Sequence, residues 1–99
     1  MWGNIQSVNL SGKITGQFRM TTLSSAIAVQ GVGNKVILQA EAQNVRIWYQ
    51  GTPTTANGFL LTVGTIYEFD LGPEGSIHDL KAIEVAASAV LNVLAVSTK

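Results

Sequence analysis

Histidine is the residue type best suited to move a proton near neutral pH, and His78, the one histidine of this chain, stands next to Asp79. A nucleophilic triad would need a serine or threonine aimed at that imidazole, with a carboxylate behind it. Ser and Thr are plentiful, but none stands in a nucleophile-elbow pattern. The pair therefore reads as part of a turn close to Gly72–Gly75. Adding Glu74 gives His78 and Asp79 a third oxygen or nitrogen donor. A transition-metal site usually recruits more nitrogen or sulfur ligands than one histidine, and the chain has no cysteine. Glu68 and Asp70 fall two apart on one strand face. That spacing suits acid–base work or calcium, but more often it is the solvated face of an edge strand. No catalytic residue, metal or cofactor is expected.

Phosphate and nucleic-acid chemistry have little support. Gly31-x-Gly33 lacks a third glycine and a following helix, and no GxxxxGK occurs. Six basic and six acidic side chains cancel, with no basic cluster to follow a nucleic-acid backbone or an anionic membrane. Arg46 and Trp48 share a strand face next to Tyr49. With Thr52, Thr54 and Asn57 of the following loop they form a possible binding surface, and an exposed aromatic there would suit a sugar. The alternative is that Tyr49 packs inward while Trp48 covers a neighbouring strand or subunit.

Nearly all of the chain has the period of two that strands require. In Lys13–Met20, the residues Ile14, Gly16, Phe18 and Met20 take one face and Lys13, Thr15, Gln17 and Arg19 the other. Leu23, Ser25, Ile27 and Val29 form a second alternating run, Gly31–Asn34 a turn, and Val36–Ala40 a short apolar strand. Val45–Tyr49 runs into the polar loop GTPTTANG, and Phe59–Val63 follows. In Thr65–Leu71, Tyr67, Phe69 and Leu71 point one way, and Gly72-Pro73-Glu74-Gly75 makes a tight turn. Ser76–Val96 contains helix formers after a Ser cap, but its β-branched residues and the Leu91/Val93/Ala95 alternation favour strands at Leu80–Ala86 and Val90–Val96. Eight or nine short strands with turn signals every 8–12 residues are the signature of an all-β sandwich or barrel.

Ninety-nine residues make one domain, and 46% apolar content is enough for one core without staples. Charged residues are 12% of the chain against about 25% in typical domains, which points to an assembled or self-associated state. The last strand is apolar on both faces, with Val90, Leu94 and Val96 opposite Leu91, Val93 and Ala95. Such a strand is either central in its sheet or covered by another subunit. Met1–Gly12 has neither a basic leader nor a continuous apolar run, so no secretory signal is expected, and Asn9-Leu10-Ser11 is read as a chance glycosylation triplet. The segment offers Trp2, Ile5, Val8 and Leu10 as anchors. It is either an arm that adds to a neighbour's sheet edge or an ordinary first strand. Val85–Val96 is too short to cross a bilayer as a helix.

Three segments taken together, NVRIWYQGTPTTANGFLLTVG (Asn44–Gly64), TIYEFDLGP (Thr65–Pro73) and IEVAASAVLNVLAV (Ile83–Val96), resemble small virion structural proteins of tailed bacteriophages. In those proteins a V-x-I-x-Y strand enters a Gly-Thr-x-Pro-Thr loop and then an apolar strand. The likeness covers roughly the C-terminal half. The chain departs from it at IWYQG, where a more acidic strand end is expected. The resemblance implies a single-domain β-sandwich over residues 13–99, of jelly-roll type as one form, preceded by the arm 1–12. It implies a non-enzymatic capsid decoration or cement protein, often a homotrimer, that binds across capsid-subunit seams. A tail or head–tail adaptor component is the neighbouring reading. The partners would be other copies and the major capsid protein, in a virion assembled in the bacterial cytoplasm. The rival reading is a carbohydrate- or receptor-binding sandwich. A small cupin-like enzyme is a third, and the single histidine argues against it. Trp2, Ile5, Val8, Leu10, Trp48, Leu94 and Val96 are the expected assembly residues.

Overall fold

The structure is a computed structural model and describes residues 12–98. The expectations on Trp2, Ile5, Val8, Leu10 and the Asn9 triplet lie outside the described residues. Eight strands occur among the described residues: β1 (Lys13–Met20), β2 (Ile27–Ala28), β3 (Lys35–Glu41), β4 (Val45–Tyr49), β5 (Phe59–Leu61), β6 (Ile66–Asp70), β7 (Leu80–Glu84) and β8 (Val90–Ser97). They form two four-stranded antiparallel sheets, β1-β8-β3-β6 (sheet A) and β2-β7-β4-β5 (sheet B). First pairs with last, second with seventh, third with sixth, and fourth with fifth. One long hairpin, folded over on itself, has this order, and it is that of a jelly-roll sandwich.

Alternation builds the core between the sheets. From sheet A come Val36, Leu38, Ala40, Leu91, Val93 and Ala95, and from sheet B Val45, Ile47, Leu61, Leu80 and Ala82. Tyr67, Phe69 and Leu71 pack against this cluster as their parity predicts, and so does Tyr49. The doubly apolar last strand is central in sheet A, between β1 and β3. Val96 is fully buried within the subunit. It therefore offers no area to a partner, which corrects its place among the assembly residues. Leu94 stays half-buried on the outer face of sheet A.

Four local expectations change. Ile14 does not share a face with Gly16, Phe18 and Met20. A bulge between Ile14 and Gly16 puts Ile14 opposite Val96 and Gly16 opposite Ala95, and Ile14 stands half exposed. The run Leu23–Val29 shrinks to Ile27–Ala28: Leu23 and Val29 are buried, but Ile27 is exposed. Of the helical reading after Ser76, one 3-10 turn survives at Ile77–Asp79, capped by the Ser76 hydroxyl accepting from the His78 N–H. Strands β5 and β7 end earlier than the alternation suggests, at Leu61 and Glu84.

The loops at one end are tied by Asn34, which is almost fully buried. Its amide donates to the Gly72 carbonyl at 2.8 Å and the Thr98 hydroxyl at 2.9 Å, and its side-chain oxygen accepts from the Thr98 N–H at 2.9 Å. Lys35 follows it, 1% exposed although its strand position faces away from the core cluster, with its ammonium 3.2 Å from Glu68 on edge strand β6.

Candidate functional site: the outer face of sheet B

The buried parity of β4 is Val45 and Ile47, so Arg46 and Trp48 stand on the outer face of sheet B. In the ladder Trp48 lies opposite Lys81, while Arg46 lies between Ile83 on β7 and Leu60 on β5. Trp48 is 44% exposed, Leu60 41% and Phe59 61%, an unusual amount of uncovered aromatic and aliphatic surface for so small a domain. Val63 and Val85 extend it beside Asn44, whose side-chain oxygen accepts from the Val63 N–H and whose carbonyl accepts from the Val85 N–H.

The loop between β4 and β5 sets this surface. Gln50 takes a left-handed conformation (φ 56°) and donates to the Asp79 carbonyl, turning the chain out of the sheet. Gly51 passes under Trp48: a Cβ on it would lie 2.3 Å from the indole Cδ1. On Trp48 stacks Phe59, with ring centroids 5.5 Å apart and planes 22° from parallel. The indole thus has the Gly51 backbone close to its Cδ1 and the Phe59 ring stacked on it. Thr54 and Asn57 close the loop tip with two backbone hydrogen bonds, reinforced by the Thr54 hydroxyl accepting from the Asn57 N–H at 3.0 Å.

Arg46 clamps the loop from below. Its Nε donates to the Thr55 carbonyl at 3.1 Å and a terminal nitrogen donates to the Gly58 carbonyl at 2.9 Å. No ion pair among the described residues involves Arg46 or Lys81, so the face carries two cations without a carboxylate partner. Of the five residues expected to form a binding surface, Arg46, Trp48, Thr52, Thr54 and Asn57, all lie on or beside this one loop. Arg46 is committed to holding it, while Trp48, Thr52, Thr54 and Asn57 are open to solvent.

Phe59, Leu60, Lys81 and Ile83 were not expected at a site. One signal was available. Phe59, Leu60 and Leu61 are three consecutive apolar residues on one strand, so they cannot all face one core.

The other candidates do not assemble. His78 and Asp79 are both exposed in the 3-10 turn, and no group of three His, Cys, Asp or Glu among the described residues could hold a metal ion. Glu68 and Asp70 are separately engaged, Glu68 with Lys35 and Asp70 as acceptor of the Gly72 N–H. The outer face of sheet A holds an open depression of about 470 Å³, large enough for a small ligand. Its lining is apolar at Ile37, Ile66 and Leu94, with the amides of Gln17, Gln39 and Asn92 around them. Arg19 at its edge is paired with Glu41 at 2.8 Å, and the Asn92 amide donates to the same Glu41 oxygen. The Asn92 hydrogen bond, with Arg19 adding to it, holds the Glu41 carboxyl below its ordinary pKa. These groups offer hydrogen bonds and apolar surface, and none of them is a nucleophile.

The fold and site define a jelly-roll sandwich with a pre-arranged aromatic face. No protein-family model, curated protein or solved structure matches the chain.

Proposed function

We propose that this chain is a non-enzymatic structural protein of a tailed-phage virion, a capsid decoration or cement subunit. It works as a homotrimer that adds contact area across seams of the major capsid protein. The observation that carries this reading is the uncovered surface at the β4–β5 side of sheet B, where Phe59 stacks on Trp48 and Leu60 is exposed beside Arg46. Rigid aromatic anchors on a low-charge surface are what protein interfaces use, and many weak copies acting together stabilise a shell. The jelly-roll order and the sequence likeness of the C-terminal half support the same reading.

Light scattering on the eluting chromatographic peak tests it. The wild-type chain is expected to run as a trimer, and Leu60→Glu, which places a charge in the face without touching the core, as a smaller species with unchanged circular dichroism. A wild-type chain that stays strictly monomeric at high micromolar concentration refutes the trimeric cement subunit. A second reading is favoured by one observation: the exposed Trp48–Phe59 stack is also a platform for a sugar ring. Glycan-array binding that Trp48→Ala abolishes would put that reading first.

A further inference from the structure

The loop on this face has no reactive side chain, yet it carries an exposed amide that its own backbone can attack. We propose that Asn57–Gly58 is a self-modification site, at which Asn57 converts to aspartate and isoaspartate by way of a cyclic imide. The Gly58 backbone nitrogen attacks the Asn57 side-chain carbonyl carbon and loses its proton to solvent base. The side-chain nitrogen leaves as ammonia. Water then opens the imide at either carbonyl, giving aspartate or, with the chain rerouted through the side chain, isoaspartate. No oxidant or cofactor is needed.

Four observations single out this amide. Asn57 is exposed, and no hydrogen bond among the described residues ties down its side-chain amide. The attacking nitrogen belongs to a glycine, so no Cβ blocks its approach. The peptide that holds this nitrogen is polarised, because its carbonyl, that of Asn57, accepts from the Thr54 N–H at 2.9 Å. Finally, the Arg46 guanidinium sits on the next carbonyl, that of Gly58, at 2.9 Å. A fixed positive charge there favours both the deprotonated nitrogen and the oxyanion formed on attack. Every other asparagine is followed by a larger residue: Ile5, Leu10, Lys35, Val45 or Val93. Asn34 is in addition buried and fully hydrogen-bonded.

The product changes the face. Aspartate adds a carboxylate within the loop that Arg46 clamps. Isoaspartate also lengthens the main chain by one carbon between the Asn57 Cα and the Gly58 nitrogen, and it turns the Asn57 carbonyl that accepts from the Thr54 N–H into a free carboxylate. The chemistry does not depend on the docking role proposed above; only its consequence for assembly does.

The test is incubation of the full chain in warm, mildly alkaline buffer, followed by tryptic mass mapping. The fragment Ile47–Lys81 contains Asn57 as its one asparagine. It should gain about one dalton, and part of the product should accept methyl label from an isoaspartyl methyltransferase. Asn57→Gln should remove both signals, and Arg46→Met, whose tryptic fragment becomes Val36–Lys81 and also carries Asn44, should slow the reaction at Asn57 as located by fragment-ion sequencing. The rate in the folded chain should at least match that in urea, since the fold supplies the activation. A folded-state rate about tenfold or more below the urea rate overturns the proposal. So does an unaltered Ile47–Lys81 fragment, or a rate indifferent to Arg46→Met. Oligomer size measured before and after incubation reads the assembly consequence separately.

Discussion

Replacing Arg46 by methionine isolates what the clamp contributes, because methionine keeps most of the aliphatic stem and removes the guanidinium. Two hydrogen bonds are lost. That to Gly58 is part-buried and 2.9 Å long, and that to Thr55 is exposed and 3.1 Å long. A hydrogen bond from a charged donor contributes about 1.5–3 kcal/mol when shielded and far less in solvent. Taking the low end for Gly58 and about 0.5 kcal/mol for Thr55 gives a loss near 2 kcal/mol. For a domain of this size that lowers Tm by about 8–16 °C. Urea denaturation should show a lower midpoint with an unchanged slope, since the same surface is exposed on unfolding. In a Trp2→Phe background the emission of Trp48 should shift as the loop and Phe59 loosen around it. A loss below about 0.5 kcal/mol with unaltered Trp48 emission would refute the clamp and the preorganised face that depends on it.

Gly51→Ala should disturb the same stack. Its methyl group would overlap the indole, so near-ultraviolet dichroism from the Trp48–Phe59 pair should weaken while the far-ultraviolet spectrum stays. Asn34→Ala removes three hydrogen bonds from a buried position and should cost about 2–4 kcal/mol in urea titration. A cost under about 1 kcal/mol would mean that the loops do not depend on it. Glu41 has its folded pKa below its unfolded one, so its pairing stabilises the fold above the unfolded value, and that is lost as pH falls through the folded value. Asn92→Ala should raise the Glu41 pKa toward the ordinary carboxylate range in an NMR titration, because the Asn92 bond is the largest cause of the shift. An unmoved titration would assign the shift to Arg19 instead.

Much of the sandwich was legible because alternation records which face of a strand meets a core. Lys13–Met20, Val45–Tyr49 and the central, doubly apolar β8 are all visible in the chain. The sequence was silent where backbone geometry overrides alternation. A single bulge turns Ile14 to the outside, and nothing in KITGQF announces it. Lys35 offers another case, since a lysine at an outward position reads as solvated until Glu68 and near-complete burial are seen. The site was half legible. Thr52, Thr54, Asn57 and Trp48 could be picked out as a polar loop beside an aromatic. That Arg46 supports the loop could not, since a donor's partners are three-dimensional facts.

Lys13 pairs with Ser97, and β8 is the strand that joins β1 to β3 in sheet A. The middle of that sheet is therefore synthesised after the strands on either side of it. On a ribosome, β1 and the β3–β6 pair have no shared neighbour until β8 emerges, so the sheet cannot close before then. A chain this dominated by distant pairings should fold slowly for its length, with strand edges exposed meanwhile. Loss of β8 would then leave a fold without its central seam, rather than a slightly smaller sheet.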